Sequence, residues 1–224
     1  MDKKALVVLS GGQDSTTCLL WALDKFNEVE AISFNYGQRH KIELKFAEKT
    51  VKHFNCEWSL ININSFAEIG NSALVDNSIE ISDKHPKNNN LPASFVPGRN
   101  IILLTLSAAF AYKKNINDIV TGVCETDYSG YPDCRDNTIQ LLEKTLKAGM
   151  DYWIKIHTPL MFLTKAESWK IAYDSKGEEG IKWIVENTMT CYNGIMDLNE
   201  WGRGCGNCPS CKIREKGYRE WRMI

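Results

Sequence analysis

The sequence predicts an α/β fold built on a doubly wound parallel sheet, with a small C-terminal subdomain that binds a metal. Apolar runs rich in β-formers alternate with helical patterns from the start of the chain, which favours parallel strands joined by right-handed crossovers. Near the other end, Cys205, Cys208 and Cys211 follow one another at intervals of three residues. This change in composition predicts an α/β domain over residues 1–187 and a cysteine-rich subdomain over residues 188–224.

The first elements of the predicted sheet are strongly patterned. Residues 5–9 are a short apolar run typical of a buried parallel strand, and an apolar stripe predicts a helix from Ser15 onward. A second strand is predicted over residues 28–34, a helix over residues 39–54 and a third strand over residues 58–63. This order of elements is what predicts the doubly wound sheet.

The pattern is lost between residues 64 and 97, where polar residues and prolines predict a long loop of the kind used as a lid or binding segment. The alternation then resumes. The predicted elements are a helix over residues 101–112 with Asn100 as its N-cap, a strand over 119–123, a helix over 136–149 ended by Gly149, a strand over 154–157, and a helix that begins with a capping box of Thr164 and Glu167.

Composition excludes several classes of function. Of the 224 residues, 43% are hydrophobic and 25% are charged, which is ordinary for a globular protein with a full core. The net charge of −1 argues against a stable nucleic-acid partner. No apolar run is long enough to span a membrane and no signal peptide is recognisable, so we expect a cytoplasmic protein. In a reducing compartment, the eight cysteines indicate metal binding or catalysis rather than disulfides.

The turn between the first strand and the first helix has the composition of a phosphate-binding loop. Its sequence is Ser10-Gly11-Gly12-Gln13-Asp14-Ser15. The glycines allow close approach of a ligand, the serines offer hydroxyls, and the helix start offers free N–H groups. The loop lacks both the Gly-Lys-Ser/Thr ending of the Walker loop and the spaced glycines of the dinucleotide fingerprint. It is similar to the pyrophosphate loop of enzymes that split ATP between its α and β phosphates. An ordinary tight turn is the less favoured alternative.

Several charged or aromatic residues follow predicted strands, where ligand sites of parallel sheets lie. Arg39 and His40 could face phosphate or carboxylate, or could simply begin a helix. Arg99 is expected at the mouth of the site, near phosphates. Lys165 lies in the first turn of a helix, against the helix dipole, which favours a functional role. The loop over residues 125–135 could hold a planar heterocycle between tyrosine and carboxylate, or could be a polar surface turn.

The cysteines of the tail predict a metal site. Cys191 precedes the run of Cys205, Cys208 and Cys211 by fourteen residues, and four thiolates at such spacing suit a tetrahedral structural zinc. An iron–sulfur cluster is the alternative, but no further cysteine shortly before a proline supports it.

Taken together, these motifs resemble the 7-cyano-7-deazaguanine synthase family of the pyrophosphate-loop superfamily. The resemblance rests on the loop at residues 10–15, on Tyr-Gly-Gln-Arg-His at 36–40, on Val-Pro-Gly-Arg-Asn at 96–100, on Ser-Gly-Tyr-Pro-Asp-Cys-Arg at 129–135 and on the four cysteines. It implies an adenine nucleotide alpha hydrolase-like, Rossmann-like fold and a homodimeric ligase of queuosine biosynthesis. This enzyme converts 7-carboxy-7-deazaguanine and free ammonia into the nitrile with two ATP, and carries one structural zinc.

The resemblance and the loop chemistry together imply a set of site residues. Asp14 is expected to help hold Mg²⁺, while Arg99 and Lys165 offset developing charge. Tyr131 is expected to cover the ring of the base, Asp133 to accept from its N–H edge and Arg135 to meet its carboxylate. The ATP-binding residues are Val8, Leu9, Ser10, Gly11, Gly12, Gln13, Asp14, Ser15, Thr16, Thr17 and Cys18; the catalytic residues are Asp14, Arg99 and Lys165; the substrate-binding residues are Arg39, Asp127, Tyr131, Asp133 and Arg135; and the metal ligands are Cys191, Cys205, Cys208 and Cys211.

Two other functions remain open from the sequence. A tRNA-thiolating enzyme would share the pyrophosphate loop, but it would need a basic surface that the net charge of −1 does not suggest. A non-catalytic zinc-knuckle module would explain the basic tail, since knuckles bind RNA, but would leave the loop at residues 10–15 without a role.

Overall fold

The computed structural model describes residues 3–38, 42–63, 84–85, 88–126 and 130–224. Its centre is a five-stranded sheet in the order β3-β2-β1-β6-β7, in which every neighbouring pair of strands is parallel. The predicted doubly wound parallel sheet is confirmed. The strands are β1 (Lys4–Val8), β2 (Glu28–Asn35), β3 (Glu57–Asn62), β6 (Asp118–Val120) and β7 (Lys155–His157), with β4 (Lys84–His85) and β5 (Asn88–Pro92) as one antiparallel pair and β8 (Leu198–Asn199) and β9 (Gly202–Arg203) as another.

The helices cover both faces of the sheet because β1 alternates its side chains between two cores. Leu6 packs with the core formed by α3 and α4, whereas Ala5 and Val7 pack with the core formed by α1 and α2. A third apolar cluster, centred on the fully buried Trp169, joins α1, α5 and α6. The helices are α1 (Gln13–Lys25), α2 (Ile42–His53), α3 (Arg99–Lys114), α4 (Asp136–Met150), α5 (Lys165–Asn187) and α6 (Pro209–Trp221).

Helix α5 begins with the capping box that the sequence predicts. The Thr164 side chain accepts a hydrogen bond from the Glu167 backbone N–H, and the Glu167 side chain accepts one from the Thr164 backbone. The helix is interrupted at Gly177, whose φ of 59° lies outside the helical region. In the part of the chain that is described, no helix is both long and apolar enough to cross a membrane.

Several predicted boundaries are wrong, and three of them have a clear physical cause. Helix α3 begins at Arg99, because Gly98 at φ 69° turns the chain two residues earlier than an Asn100 cap would. Helix α4 runs through Gly149 and ends where Asp151 adopts the left-handed conformation. Strand β6 ends at Val120 rather than at residue 123, because Gly122 packs against the backbone of Asp14 in α1.

The long loop predicted between residues 64 and 97 contains regular structure. Strands β4 and β5 form an antiparallel pair within it. Residues 64–83 and 86–87 of this loop lie outside the described part of the chain.

Helix α2 packs unusually close to the turn at residues 10–15, which follows β1. Gly11 has a φ of 91°, and a Cβ built on it would lie 2.1 Å from the carbonyl oxygen of Glu43 and 2.9 Å from the amide nitrogen of Ala47. Both neighbours are backbone atoms of α2, and unlike side-chain atoms they cannot move away by a change of rotamer. At Gly12, in contrast, a Cβ would make ordinary contacts at 3.4 Å. Gly11 is therefore required by the packing of the fold, whereas Gly12 leaves open space.

We expect Gly11→Ala to destabilise the protein by about 2 kcal/mol or more, because the added methyl meets fixed backbone at a strained φ. Gly12→Ala is the matched control and should stay within roughly 0.5 kcal/mol of the wild type. Urea unfolding followed by circular dichroism measures both. Equal stability of the two variants would show that α2 does not press on the loop as described.

Candidate active site

The loop over residues 10–15 is held in shape by its own hydroxyl groups. The Ser10 and Ser15 Oγ atoms lie 3.0 Å apart, and the Ser15 hydroxyl donates to the Gly12 carbonyl at 3.1 Å. The Gly12 N–H donates to Ser10 Oγ at 3.3 Å. The loop leads directly into the first turn of α1, whose N–H groups favour an anion. This is the arrangement that a phosphate-binding turn requires.

At the start of α1, Asp14 forms an ion pair with Lys165. The Lys165 Nζ lies 2.9 Å from both carboxylate oxygens of Asp14, although the two residues are far apart in sequence. Two glycines permit this contact. A Cβ on Gly122 would approach the Asp14 backbone to 3.1 Å, and one on Gly217 of α6 would lie 2.5 Å from Lys165 Cγ. The structure thus brings two of the three predicted catalytic residues together.

The third, Arg99, lies in a separate cluster at the start of α3. Its guanidinium lies 5.9 Å from the ring centroid of Tyr131, and Tyr36 and Asp133 are its other acidic neighbours. Burial opposes the charge of the guanidinium, but these neighbours outweigh burial and raise the pKa of Arg99 above its usual value. The guanidinium of Arg99 is therefore charged at neutral pH.

Asp133 is almost completely buried, with 4% of its surface exposed. Its Oδ2 accepts a hydrogen bond from the Asn100 backbone N–H at 2.9 Å, whereas its Oδ1 is buried with no hydrogen-bond partner among the described residues. Buried carboxylate oxygens are normally satisfied, so the free Oδ1 indicates that a donor is missing. Asp133 is thus the polar group of this cluster that is best suited to receive a ligand's N–H.

The neighbouring predicted substrate residues have different surroundings. Tyr131 is buried, with its hydroxyl 2.6 Å from Ser94 Oγ and its ring 5.8 Å from that of Phe95. Arg135 is exposed at the junction between the short 3₁₀ helix Pro132–Cys134 and α4. Arg39 and Asp127 lie outside the described residues.

The predicted ATP-binding segment divides by burial. Ser10, Gly12 and Asp14 reach the surface of the loop, whereas the side chains of Leu9, Thr16, Thr17 and Cys18 are buried among the helices and sheet. The hydroxyls of Thr16 and Thr17 and the Gln13 amide nitrogen have no hydrogen-bond partner in the described part of the protein.

Glu43 is a candidate that the sequence did not suggest. It lies in the first turn of α2. Its backbone carbonyl lies next to Gly11 of the loop, and its carboxyl group interacts electrostatically with Arg99. Burial raises the pKa of Glu43 to about 7, and the attraction of Arg99 only partly offsets this. A carboxyl group that titrates near neutral pH beside a phosphate loop can exchange a proton under working conditions. Sequence alone shows only an acidic residue near a helix start, so the partial burial of Glu43 could not be predicted.

The four cysteines of the tail converge as predicted. The Sγ atoms of Cys191, Cys205, Cys208 and Cys211 all lie within 4.8 Å of one another, and two of the pairs are separated by 4.0 Å. A tetrahedral site with metal–sulfur bonds of about 2.3 Å requires sulfur–sulfur distances of roughly 3.8 Å, so this donor set can bind a metal with little movement. Gly204 leaves room for the cluster, because a Cβ there would lie 2.5 Å from Cys211 Sγ.

The four thiols of the cluster differ in how readily they ionise. A hydrogen bond from Cys211 lowers the pKa of Cys208 to about 4, although burial acts in the opposite direction. The same hydrogen bond raises the pKa of Cys211, and burial raises the pKa of Cys191. Burial also opposes charge on Cys205, but the backbone N–H groups of Asn207 and Cys208 donate to its Sγ at 3.4 and 3.3 Å and lower its pKa. Because a metal needs thiolates, its binding would release protons from the thiols whose pKa is raised.

Comparison with known proteins identifies the relationship. The model of the family described as "Queuosine biosynthesis protein QueC" matches residues 4–222. The chain belongs to the QueC family. The 7-cyano-7-deazaguanine synthase of Clostridium novyi (strain NT) is 46% identical over 224 residues, which is 100% of this chain and 97% of that protein. The 7-cyano-7-deazaguanine synthase of Clostridium botulinum (strain Langeland) is 49% identical over 220 residues, covering 98% of this chain and 96% of the relative. The resemblance seen in the sequence is confirmed.

Among solved structures, a 4-thiouridine synthetase–RNA complex with bound ATP is similar to the QueC-family chain in fold. The TM-score is 0.52 at 14% identity, covering 98% of this chain and 50% of that one. The likeness supports the predicted adenine nucleotide alpha hydrolase-like fold and carries no further conclusion.

The raised pKa of Glu43 predicts a pH-dependent stability. The folded protein keeps the proton up to about pH 7, whereas the unfolded chain releases it near the ordinary value of 4.5. The free energy of unfolding should therefore fall as the pH rises through this window. Glu43→Gln, which is always neutral, should exceed the wild type in stability at pH 8 by on the order of 1–3 kcal/mol, and by much less at pH 4.5.

Urea unfolding at several pH values measures this difference. Glu48→Gln, on the same helix and paired with Lys52 at the surface, is the control and should follow the wild-type profile. A constant difference between Glu43→Gln and the wild type across the window would rule out the buried, protonated carboxyl.

Proposed function

We propose that this chain is an ATP-dependent ligase that converts 7-carboxy-7-deazaguanine and ammonia into 7-cyano-7-deazaguanine. The observation that carries the proposal is the identity of 46–49%, along nearly the whole chain, to proteins named 7-cyano-7-deazaguanine synthase. The site supports it, since the turn at residues 10–15 follows β1 and the buried carboxylate of Asp133, with its free acceptor, follows β6, the parallel neighbour of β1. The alternative, a tRNA-thiolating enzyme, is not favoured by the family.

The substrate carboxylate and the amide formed from it are both poor electrophiles, so the proposed reaction uses ATP to activate each of them in turn. The substrate carboxylate attacks the α-phosphorus of ATP, which gives an acyl-adenylate and pyrophosphate. Ammonia displaces AMP and loses a proton, which gives the amide. The amide oxygen then attacks a second ATP, again releasing pyrophosphate. Loss of AMP and of the remaining nitrogen protons gives the nitrile. The protein contributes mainly orientation and stabilisation of negative charge.

On the nucleotide side, we assign the phosphates to the main-chain N–H groups of Gly11 and Gly12 and to the hydroxyls of Ser10 and Ser15. Asp14 would hold Mg²⁺, a hard cation that prefers carboxylate and phosphate oxygens. When Asp14 is engaged in this way, Lys165 can turn its ammonium from the carboxylate to the phosphates. The buried residues of the ATP-binding segment would fix the shape of the loop.

On the base side, Asp133 is assigned to the N–H edge of the guanine-like ring, through the oxygen that lacks a partner. Tyr131, held by Ser94, would form an aromatic wall of the pocket, and Arg99 would stabilise charge on the reacting groups. Arg135, exposed at the start of α4, is assigned to the substrate carboxylate. Arg39 and Asp127 are kept as substrate-binding residues on the resemblance alone.

For the four cysteines we propose one structural zinc, because four thiolates at tetrahedral spacing suit that ion. We further propose a cytoplasmic homodimer that uses free ammonia and has no stable nucleic-acid partner. The division at residues 187 and 188 is proposed as the boundary of the zinc-binding subdomain.

The decisive experiment is to incubate the protein with ATP, Mg²⁺, ammonium and 7-carboxy-7-deazaguanine. Mass spectrometry should detect the nitrile together with AMP and pyrophosphate, with two AMP formed for each nitrile. An amide that accumulates when ATP is limiting would support the order of steps. Release of ADP, or no conversion of the base, would contradict the proposal.

Asp133→Asn should weaken binding of the base strongly. The asparagine oxygen can still accept from the Asn100 N–H, but its NH₂ group then occupies the place of the free oxygen and repels a donor. The loss should be roughly 10- to 100-fold in dissociation constant, with ATP affinity nearly unchanged. Calorimetry measures both ligands. Asp136→Asn, three residues along and paired with Gln140, is the matched control. A selective loss of ATP binding would remove Asp133 from the base pocket.

Metal analysis of the purified protein should find one zinc per chain. Cys208→Ser should lose both the metal and solubility, since structural zinc contributes on the order of 10 kcal/mol to folding in isolated peptides. Cys56→Ser is the control, because Cys56 lies apart from the cluster. Iron with inorganic sulfide in place of zinc would contradict the assignment.

A further inference from the structure

The segment that carries Cys191 also reaches the phosphate loop. The Met189 N–H donates to the Gly11 carbonyl at 3.0 Å, and the Gln13 N–H at the start of α1 donates to Thr190 Oγ1 at 3.4 Å. A Cβ on Gly12 would lie 3.9 Å from the same hydroxyl. Thr190 is therefore beside the loop, and the backbone hydrogen bond of the preceding Met189 would keep it there without the Thr190 side chain.

The Thr190 hydroxyl has its accepting capacity filled. Besides Gln13 N–H, it accepts a hydrogen bond from Arg214 Nη1 at 2.9 Å. A hydroxyl oxygen has two lone pairs and one proton, so the proton remains as a donor. No acceptor for that proton is found among the described residues, and Thr190 is partly exposed next to the loop.

Behind Thr190 lies a buried positive charge. Arg214 is 1% exposed, and the hydrogen-bond partners of its guanidinium are Thr190 Oγ1 and the carbonyls of Trp201 and Ile184. Within the described ranges, no carboxylate lies close enough to form an ion pair with it, and the carboxylate that acts on it from a greater distance is that of Asp14 in the turn itself. The positive charge of Arg214 therefore faces, through Thr190, a turn whose N–H groups suit an anion.

We propose that Thr190 donates a hydrogen bond to the polyphosphate of ATP, with Arg214 holding and polarising its hydroxyl. The cysteine-bearing segment then supplies part of the nucleotide site. This inference rests on the proposed binding of ATP at the loop. It adds a phosphate-binding residue that lies far along the chain from the loop itself.

Calorimetry with three probes tests the inference: MgATP, pyrophosphate and adenosine. Thr190→Val should weaken binding of ATP and pyrophosphate roughly 10- to 100-fold, the range for losing a hydrogen bond to a charged group, and leave adenosine unchanged. Thr190→Ser, which keeps the hydroxyl, should restore binding to within about threefold. Thr188→Val is the matched control, because the Thr188 hydroxyl donates to the Ile184 carbonyl instead. Metal content should be the same in all variants.

Equal loss of ATP and adenosine binding in Thr190→Val would indicate a purely structural role and overturn the inference. Should that variant fold poorly, a wild-type crystal structure with an unreactive ATP analogue decides: a Thr190 Oγ1–phosphate distance near 3 Å supports the contact, and one above about 4 Å overturns it. Failure of the wild type to bind ATP or pyrophosphate at all would instead contradict the proposed function.

Discussion

The buried guanidinium of Arg214 is the constraint on which the C-terminal half of the structure depends. Its three hydrogen bonds, between 2.9 and 3.0 Å, join the end of α5, the turn before β9 and the segment beside the phosphate loop. Burial lowers the pKa of Arg214 to about 10, so the group is still charged at neutral pH. A buried charge tolerates little loss of its partners, which fixes the three segments more strictly than apolar contact alone. Gly202 is required beside it, because a Cβ there would lie 2.1 Å from Nη2.

The two cations of the candidate site have different electrostatic surroundings. Lys165 forms an ion pair with Asp14, whereas the titratable neighbours of Arg99 include two tyrosines, one cysteine and the carboxylate of Asp133. If Lys165 turned to a phosphate oxygen as proposed, Asp14 would need another cation, such as the proposed Mg²⁺. Leaving either partner unpaired in a poorly solvated site is costly, so the two exchanges would have to occur together.

Much of this architecture could be predicted from the sequence. The alternation of strands and helices follows from apolar runs and helical stripes, and the loop at residues 10–15 and the four cysteines are local patterns. The predicted start of α3 and the predicted end of α4 were wrong, because each is set by one residue in the left-handed conformation, Gly98 and Asp151 respectively. The contacts of Glu43, Thr190 and Arg214 could not be predicted, because they join residues that are distant in sequence and depend on tertiary packing. A helix-start glutamate and a tail arginine are ordinary surface residues until the fold buries them.

Several contacts cross the boundary that composition suggests near residue 187. Phe46 of α2 packs in the same apolar cluster as the four cysteines. Gly217 of α6 packs closely against the Cβ and Cγ atoms of Lys165. The Met189 N–H donates to the Gly11 carbonyl in the loop itself. A metal bound by the cysteines would therefore also help to order the groups around the loop. Under the proposed binding of ATP there, less binding energy would be lost in arranging these groups, which is the advantage of a preorganised site.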